Sequence, residues 1–371
     1  MFDFLPEFLR TPVSFVIVLS ILVFIHELGH YLAARWRGVH VDVFSIGFGR
    51  AIATWKDGHG TIWKLSWIPL GGYVKLHGQE RPEDVAPEVR ASWIVGRTFH
   101  SKTVVSRAIV VAAGPAANFV LAAVLFTALF MAIGRPVGVE PVVGEVLADS
   151  AASKAGLLAG DRIVGIDADP VANFTDIQRI VASHADVPII LHVQRAGAAR
   201  DIPITPFGRD GGNGRRVGVL GIQGGEVIYE RVTPIDAVVA GVGQTWDLVV
   251  QTLDGLWGML SGRRGGELGG PLAIAQLSGQ VAQHGASALI KFIAFMSVNL
   301  GLLNLFPIPV LDGGHLLFYL AEAIRGRPLP QRTQEYGFRA GFALLIGLFV
   351  FATWNDLVRI GVFSWIAHLI G

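Results

Sequence analysis

The residues whose types and spacing could do chemistry begin with His26, Glu27 and His30, which form an HExxH pattern. Histidines four positions apart lie on one face of an α-helix, so both imidazoles can bind the same ion. A glutamate directly after the first histidine lies beside that ion, where it can accept a proton from water. This pattern is typical of zinc peptidases. Because it fixes only three residues, it also occurs by chance in helices that bind no metal.

The segment that carries this pattern has the length and composition of a membrane span. Residues 13–34 are mostly apolar, and about 20 such residues cross a hydrocarbon core of about 30 Å. Burying an ionisable side chain at that depth costs about 2.5–3.5 kcal/mol, and a divalent cation would compensate for this cluster. A cleaved signal peptide is the competing interpretation. Cleavage after Ala34 would discard both histidines, and Asp3 and Glu7 accompany Arg10 ahead of the apolar run.

A second group of residues that are unusual at membrane depth lies in a later apolar segment and comprises two asparagines, two prolines and an aspartate: Asn299, Asn304, Pro307, Pro309 and Asp312. The two prolines must break a helix, so the backbone there has to face protein or a watery cavity. An aspartate at that depth needs a cation. Asp312 would complete a site of two histidines and one carboxylate with an open position for water, as catalytic zinc requires. His315 is the alternative third ligand.

Composition excludes several classes of protein. The 371 residues are 52% hydrophobic and only 16% charged, against about 25% charged in soluble domains, which indicates a membrane protein with a soluble part. A net charge of +1, without a basic tract interleaved with aromatics, gives no reason to expect a nucleic-acid partner. The chain has no cysteine, so a zinc site must use nitrogen and oxygen ligands.

The N-terminal third is interpreted as a first transmembrane helix (residues 1–35), a loop (36–107) and a second transmembrane helix (108–134). The loop is rich in lysine and arginine, so the positive-inside rule places it in the cytoplasm. Residues 41–49 and 61–68 alternate as strands do, and Asp57-Gly58 and Gly71-Gly72 are expected to be turns of membrane-associated β-hairpins. Their apolar face is either a core face or an edge that receives a substrate strand. Asn118, in the second helix, either joins helices or faces the site; helix contact is favoured.

The middle of the chain is interpreted as soluble. Short alternating strands and one helix fill residues 137–206, and the pattern Ala155-Gly156-Leu157 followed by Gly160-Asp161 resembles a PDZ domain of the bacterial protease type. That resemblance implies binding of a peptide C-terminus by strand addition. Residues 207–287 are expected to form a linker, or hairpin tail, over residues 211–225 and then an amphipathic helix. Polar residues at helical spacing place that helix, Pro234–Leu260, at the membrane interface, with a further span as the alternative.

The C-terminal part is interpreted as a third transmembrane helix (288–320), a cytoplasmic loop (321–337), and a fourth transmembrane helix with a tail (338–371). The fourth span is expected to be interrupted at residues 354–356. Together these segments predict a polytopic α-helical membrane protein of about four transmembrane helices, with a membrane-associated β-hairpin loop and an inserted PDZ domain. An even number of spans places both termini and the PDZ domain on the far side of the membrane.

The whole arrangement resembles the bacterial site-2 proteases of the RseP type, a family of intramembrane zinc metalloproteases. The motifs that carry the resemblance are His26-Glu27-x-x-His30, Gly114-Pro115-x-x-Asn118, Asn304-x-x-Pro307 and Leu311-Asp312-Gly313. The resemblance implies that His26, His30 and Asp312 bind zinc and that Glu27 is the general base. It implies a contact of Asn304 with the substrate or oxyanion, and Asn299, Pro307 and Pro309 are further candidates for substrate contact. The best-known members have two tandem PDZ domains, whereas only one is recognisable here.

The resemblance also implies the reaction and the partners. The chain would be a zinc metalloendopeptidase of the bacterial inner membrane, with its PDZ domain in the periplasm. Its substrate would be a single-span membrane protein such as an anti-sigma factor, trimmed beforehand by a separate site-1 protease, and remnant signal peptides are a second expected substrate. A transporter could also use ionisable residues in the membrane, but it needs no PDZ domain and no inverted repeat is visible. An inactive scaffold would tolerate loss of Glu27, which is present.

Overall fold

The structure, a computed structural model, describes residues 6–80, 85–211, 216–262 and 269–361. The helices of the described residues are α1 (Glu7–Trp36), α2 (Pro87–Ala91), α3 (Val104–Ile133), α4 (Ala151–Lys154), α5 (Phe174–Ala182), α6 (Pro234–Leu260), α7 (Pro271–Gln283), α8 (Ala286–Leu305), α9 (Asp312–Arg325) and α10 (Gln331–Ile360). The strands are β1 (Val41–Lys56), β2 (Ile62–Leu76), β3 (Arg135–Val139), β4 (Val143–Val146), β5 (Arg162–Ile166), β6 (Asp169–Pro170), β7 (Ile189–Arg195), β8 (Ala198–Ile204), β9 (Phe207–Asp210), β10 (Arg216–Val219), β11 (Ile222–Gly224) and β12 (Val227–Glu230).

Four of the described helices are long and apolar enough to cross a membrane, namely α1 from Leu9, α3, α8 and α10. This number agrees with the sequence prediction. Helix α6, whose bounds coincide with the predicted amphipathic helix, is not one of the four. The chain divides into two compact units, one containing residues 1–129, 238–253 and 266–371, and the other residues 130–237 and 254–265.

In the first unit, β1 and β2 form one long hairpin rather than several. The turn follows Asp57 as predicted, but the predicted turn at Gly71-Gly72 is wrong, because both glycines lie inside β2. The chain does bend there: Gly71 has a φ of +118°, and Phe44 of β1 is paired with both Val74 and Trp63 of β2. Both halves of β2 therefore flank the first half of β1. The fully buried Phe44 ring belongs to a core shared with α1 and α3.

The C-terminal helices differ from prediction in three respects. The predicted third span (288–320) is two helices, since α8 ends at Leu305 and α9 begins at Asp312 after the proline-containing segment. Because α9 continues to Arg325 and α10 begins at Gln331, most of the predicted loop 321–337 is helical. Helix α10 also runs without interruption through residues 354–356, where the Asp356 carboxylate accepts hydrogen bonds from Gly270 and Ala273 at the start of α7. The predicted tail lies outside the described residues from position 362.

The second unit contains an antiparallel sheet of four strands in the order β6-β5-β7-β8, with α5 against it. Helix α5 begins with a capping box in which Asn173 and Asp176 exchange hydrogen bonds, satisfying backbone donors that the first turn leaves free. The core is formed by fully buried side chains such as Ile163, Ile166 and Leu191. Leu220 also belongs to this core, so the unit extends past residue 206, where the predicted domain ended.

Of the two predictions for residues 211–225, the linker is wrong for the residues described there, whereas the hairpin tail agrees with the pairing of β10 with β9. Strand β10 pairs with β9 as a hairpin, β11 pairs with β4, and β12 pairs with β3. The segment therefore returns to strands near the start of the same unit. A further helix, α7, which the sequence analysis did not separate from its surroundings, packs with α1 and α8 through Ala282, Leu22 and Leu289.

Candidate metal centre

Three donor atoms from two helices meet in the first unit. His26 Nε2 lies 3.2 Å from His30 Nε2 and 3.2 Å from Asp312 Oδ2, and His30 Nε2 lies 3.5 Å from the same carboxylate oxygen. The histidines belong to α1, where the spacing of four residues brings both rings to one face. Asp312 is the first residue of α9. Residues 286 positions apart in the chain are therefore neighbours in space.

The size of this triangle fits one tetrahedral metal ion. Zinc bonds to histidine nitrogen and carboxylate oxygen are about 2.0–2.1 Å long, and in a tetrahedron of such bonds the donor atoms are about 3.3 Å apart. The three observed separations are 3.2, 3.2 and 3.5 Å. Asp312 Oδ2 is buried and makes no hydrogen bond, which is costly for a carboxylate oxygen unless a cation faces it. Two nitrogens, one oxygen and a fourth open position suit a catalytic zinc ion.

The tautomer of His30 is set by a backbone contact. Its Nδ1 lies 2.9 Å from the carbonyl oxygen of Val110 in α3. Since a carbonyl can only accept, Nδ1 carries the proton and Nε2 keeps a lone pair directed at the triangle. Hydrogen bonds of this kind orient histidine ligands and increase their basicity.

His26 has a corresponding partner in Asn118, which is fully buried in α3. The side-chain nitrogen Nδ2 of Asn118 lies 3.1 Å from His26 Nδ1, and the side-chain oxygen Oδ1 has no hydrogen-bond partner. The nitrogen and oxygen of an amide can be interchanged by a half-turn of the group. With that oxygen turned towards Nδ1, the Nδ1–H donates to it and Nε2 is free to bind an ion. Asn118 therefore joins α3 to α1, as favoured, and it does so through a residue of the site, so both of the predicted alternatives hold. Ser297 of α8 does donate to the backbone oxygen of Asn118, at 2.8 Å.

Glu27 lines the same cavity as the three donor atoms and contacts the second half of β2. Val74 of β2 lines the cavity beside it. Gly72 lies so close that a Cβ at that position would be 3.4 Å from Glu27 Cγ. The hairpin therefore packs directly against the Glu27 side chain of α1.

The return of the chain to Asp312 depends on two glycines at the start of α9. A Cβ at Gly313 would lie 2.3 Å from the carbonyl oxygens of Leu305 and Phe306, and a Cβ at Gly314 would lie 2.4 Å from that of Ile308. Only glycine permits this approach. Because the break between α8 and α9 is this tight, the carboxylate is presented in the first turn of a new helix.

A cavity of about 730 Å³ surrounds the donor atoms, and we call it the metal-centre cavity. Its wall includes Asn304, whose side chain donates to the Leu300 carbonyl at 3.0 Å. His315 also lines the cavity but does not belong to the group of donor atoms that lie within 4.8 Å of one another. The other residues named as substrate contacts, Asn299, Pro307 and Pro309, are not in the wall of this cavity.

The turn of the hairpin is fastened to α1 through Asp57. Its carboxylate accepts hydrogen bonds from the Tyr31 hydroxyl at 2.8 Å and from the Trp63 indole at 3.1 Å, and from two backbone N–H groups of the turn. Burial raises the pKa of the Asp57 carboxyl, but these hydrogen bonds outweigh burial and hold the pKa well below its usual range. The carboxylate therefore stays ionised and keeps the hairpin in place beside the site.

Comparison with known proteins gives a consistent result. The family model described as peptidase family M50 matches residues 14–348. A relative from Rhizobium meliloti, named as a zinc metalloprotease, is 46% identical over 93% of this chain and 95% of its own. The metalloprotease MmpA of Caulobacter vibrioides is 38% identical, covering 98% of this chain and 99% of its own. The regulator of sigma E protease of Salmonella typhi is 33% identical, covering 94% and 98%.

A solved PDZ domain of an SdrC-like protein from Listeria innocua aligns with 24% of this chain and 99% of that domain, at 18% identity and a TM-score of 0.21. A score that low assigns no fold to the second unit.

Proposed function

This chain belongs to peptidase family M50 and is a zinc metalloprotease, and we propose that it hydrolyses peptide bonds within the membrane-spanning segments of other proteins. The observation that carries this proposal is the triangle of donor atoms from His26, His30 and Asp312. The two histidines belong to α1, which is long and apolar enough to span a membrane. A hydrolytic centre at that depth acts on segments that are themselves buried in lipid.

In this proposal His26, His30 and Asp312 bind the zinc ion. Zinc bound there supplies Lewis acidity, which lowers the pKa of water and polarises a peptide carbonyl. Glu27 accepts a proton from the attacking water at a carboxylate oxygen and then donates that proton to the departing amine nitrogen. Val110 and Asn118 hold the two imidazoles in the required tautomers.

The hairpin is proposed to present the substrate. A transmembrane helix has its carbonyl groups in internal hydrogen bonds, so the scissile segment must unwind before it can react. Tyr73, Val74 and Leu76 of β2 line the metal-centre cavity, and an extended segment that pairs with this strand would pass Glu27. Asn304, which also lines the cavity, is proposed to contact the substrate or the developing oxyanion.

The membrane arrangement is proposed from charge. The basic loop that contains the hairpin lies in the cytoplasm by the positive-inside rule. The second unit, proposed to be a periplasmic PDZ domain that begins near residue 137, then lies on the other side of a bacterial inner membrane. A peptide C-terminus added to a strand of this unit is the proposed ligand.

The proposed substrate is a single-span membrane protein of the anti-sigma-factor type that a separate site-1 protease has already trimmed. The printed name of the relative from Salmonella typhi, regulator of sigma E protease, supports this choice over other single-span proteins. Remnant signal peptides, which are short apolar helices, are a second proposed substrate.

The test uses the full-length chain reconstituted in lipid with a single-span reporter, supplied either intact or trimmed on its outer side. Mass spectrometry of the products should locate the cut inside the apolar segment of the trimmed reporter. A zinc chelator should stop the reaction, and added zinc should restore it. Cleavage outside the apolar segment would contradict intramembrane action, and equal cleavage of the intact reporter would contradict the requirement for trimming.

A further inference from the structure

A second cavity lies where α1 ends and the hairpin turn meets it. It has a volume of about 410 Å³, and its wall includes Arg35, His40, His59 and Arg97. None of its lining residues lines the metal-centre cavity. We call it the basic cavity. Its polar side chains belong to no step of the proposed hydrolysis, so it needs an explanation of its own.

The charge of the basic cavity has one sign. Among the described residues that line it there is no aspartate or glutamate. A fifth basic group is near, since a Cβ at the lining residue Gly38 would be 3.3 Å from Lys102 Nζ. Basic side chains gathered in a concave site raise the local concentration of anions.

The carboxylates next to this cavity are already engaged. Both oxygens of Asp57 accept hydrogen bonds within the hairpin and from Tyr31. Asp42 Oδ1 lies 2.8 Å from His77 Nδ1 and 3.8 Å from His40 Nε2. Neither carboxylate lines the cavity, so the arginines there face no opposing charge within its wall.

The donors suit an oxyanion. Arg35 donates one N–H to the Tyr31 hydroxyl at 3.0 Å, and a guanidinium carries five such groups. Burial lowers the pKa of His40, so at neutral pH this ring contributes an N–H donor and not a charge. The permanent charges are those of Arg35 and Arg97, and guanidinium groups in general bind phosphate through paired N–H groups.

The position of the cavity indicates the source of the anion. Arg35 lies in the last turn of α1, next to the end of the apolar segment Leu9–Trp36, and therefore at the depth of lipid headgroups. Basic pockets at the ends of transmembrane helices bind anionic headgroups. We infer that the basic cavity binds a phosphate group, either that of an anionic phospholipid headgroup or free phosphate. A phosphate there would bridge Arg35 on α1 and His59 in the turn, and so fasten the hairpin to the membrane surface.

The test is native mass spectrometry of the full-length chain in neutral detergent, titrated separately with phosphatidylglycerol, phosphatidylcholine and inorganic phosphate. The wild type should bind phosphatidylglycerol more tightly than phosphatidylcholine, and added salt should weaken that binding. Removal of one cation near a lipid phosphate lowers affinity about fivefold, so Arg97→Gln should show that loss. Arg50→Gln, a change of the same kind at an exposed residue of β1 outside the cavity, should bind as the wild type does.

A second pair of variants leaves the arginines intact. A Cβ at Gly58, which lines the cavity, would meet no atom within 4 Å, so a side chain fits there. Gly58→Glu should weaken phosphatidylglycerol binding by repulsion, whereas the isosteric Gly58→Gln should weaken it much less.

The separate titrations with lipid and with inorganic phosphate distinguish the two sources of the phosphate group. Binding of phosphatidylglycerol without inorganic phosphate supports the lipid headgroup, and binding of both supports recognition of the phosphate group itself. The inference is overturned if phosphatidylglycerol binds no better than phosphatidylcholine while inorganic phosphate does not bind. It is also overturned if Arg97→Gln and Gly58→Glu both bind as the wild type does.

Discussion

The approach of α3 to α1 beside the metal centre is set by two glycines. A Cβ at Gly29 would lie 2.2 Å from the carbonyl oxygen of Ala113, and a Cβ at Gly114 would lie 2.3 Å from His30 Nε2. Such distances are far inside van der Waals contact. The small residues therefore let α3 come close enough for Val110 and Asn118 to bond the imidazoles, as small residues do where membrane helices pack.

Gly114→Ala should remove zinc without changing a ligand. The added methyl occupies space at His30 Nε2, so the ring must turn away from His26 and Asp312. Loss of correct histidine orientation typically weakens metal binding about 10–100-fold, and a competition titration with a chromophoric chelator would measure this. Gly347→Ala adds the same methyl where no atom lies within 4 Å and should bind zinc normally. Unchanged affinity in Gly114→Ala would mean that the ion does not use His30 Nε2.

At the residue scale, the sequence predicted the site best where ionisable residues stand in apolar segments. Two histidines at helical spacing and an aspartate after a proline break are conspicuous in apolar segments, and the structure brings His26, His30 and Asp312 together. Asn118 was harder to assign, because one asparagine in a helix does not reveal which neighbouring helix its face will meet. The adjacent Gly114-Pro115 signals close packing, but not that the partner is a metal-centre histidine.

At the scale of elements, the position of β2 against α1 determines what surrounds Glu27. Gly72 lies at this contact, where a Cβ would lie 2.7 Å from the Ser45 carbonyl oxygen of β1 and 3.1 Å from Val23 Cγ1 of α1. The strand runs on to Val74, which lines the same cavity as Glu27. A shift of β2 would therefore move the base and the cavity wall together.

Gly72→Ala should impair cleavage while zinc binding persists. The methyl overpacks the junction, which costs about 1–3 kcal/mol, and a displacement of about 1 Å near reacting groups can reduce a rate by about 100-fold. The measurements are zinc content, the free energy of unfolding and the rate of reporter cleavage. Gly243→Ala places its methyl in open space on α6 and serves as the control. A variant that cuts at the wild-type rate would show that the hairpin does not position Glu27.

Some helix and strand boundaries could be predicted from local sequence patterns and others could not. Gly71-Gly72 predicts a turn from local chemistry, yet the long hairpin accommodates it as a bend within β2 because the strand pairs with β1 on both sides of it. The proline break before Asp312 was predictable, since proline cannot continue a helix. The segment after residue 206 was not, because β11 and β12 pair with strands about 75–100 residues earlier, and such pairing leaves no local signal.

At the scale of the whole molecule, each compact unit has buried apolar side chains and a carboxylate that accepts several hydrogen bonds. In the first unit this carboxylate is Asp57. In the second unit, Asp161 is fully buried and accepts two hydrogen bonds from Arg195, at 2.7 Å each, and one from the Leu158 N–H at 2.9 Å. The hydrogen bonds from Arg195 lower the pKa of the Asp161 carboxyl despite its burial.

This ion pair predicts the acid stability of the second unit. A carboxyl whose pKa is lower in the folded state stabilises the fold above its unfolded pKa of about 3.9 and loses that contribution as the pH falls further. The protection from hydrogen exchange of peptides from β5 and β7 in the full-length chain, measured relative to the intrinsic exchange rate at each pH, should therefore fall below about pH 4. Asp161→Asn should lower the opening free energy of these peptides by about 1–3 kcal/mol already at neutral pH. In this variant the opening free energy should then change little as the pH falls below about 4. Asp169→Asn, at an exposed position of β6, should change neither; an acid response preserved in Asp161→Asn would contradict the assignment.

The presence of helices apolar enough to cross a membrane was predictable from composition alone, because apolar runs of span length are rare in soluble proteins. The four helices of sufficient length and hydropathy match that expectation. The sequence did not predict how tightly the chain turns between α8 and α9. The turn depends on the close approach of Gly313 and Gly314 to the backbone of residues 305–308.

The most direct test of the account is to measure zinc content and reporter cleavage for the wild type, Glu27→Gln and Asp312→Ala. The wild type should bind one zinc ion per chain and cut the trimmed reporter. Glu27→Gln should retain the zinc and fail to cut, because the amide cannot accept the proton, whereas Asp312→Ala should lose the metal. Cleavage by Glu27→Gln at the wild-type rate, or full zinc binding by Asp312→Ala, would contradict the roles assigned to these carboxylates.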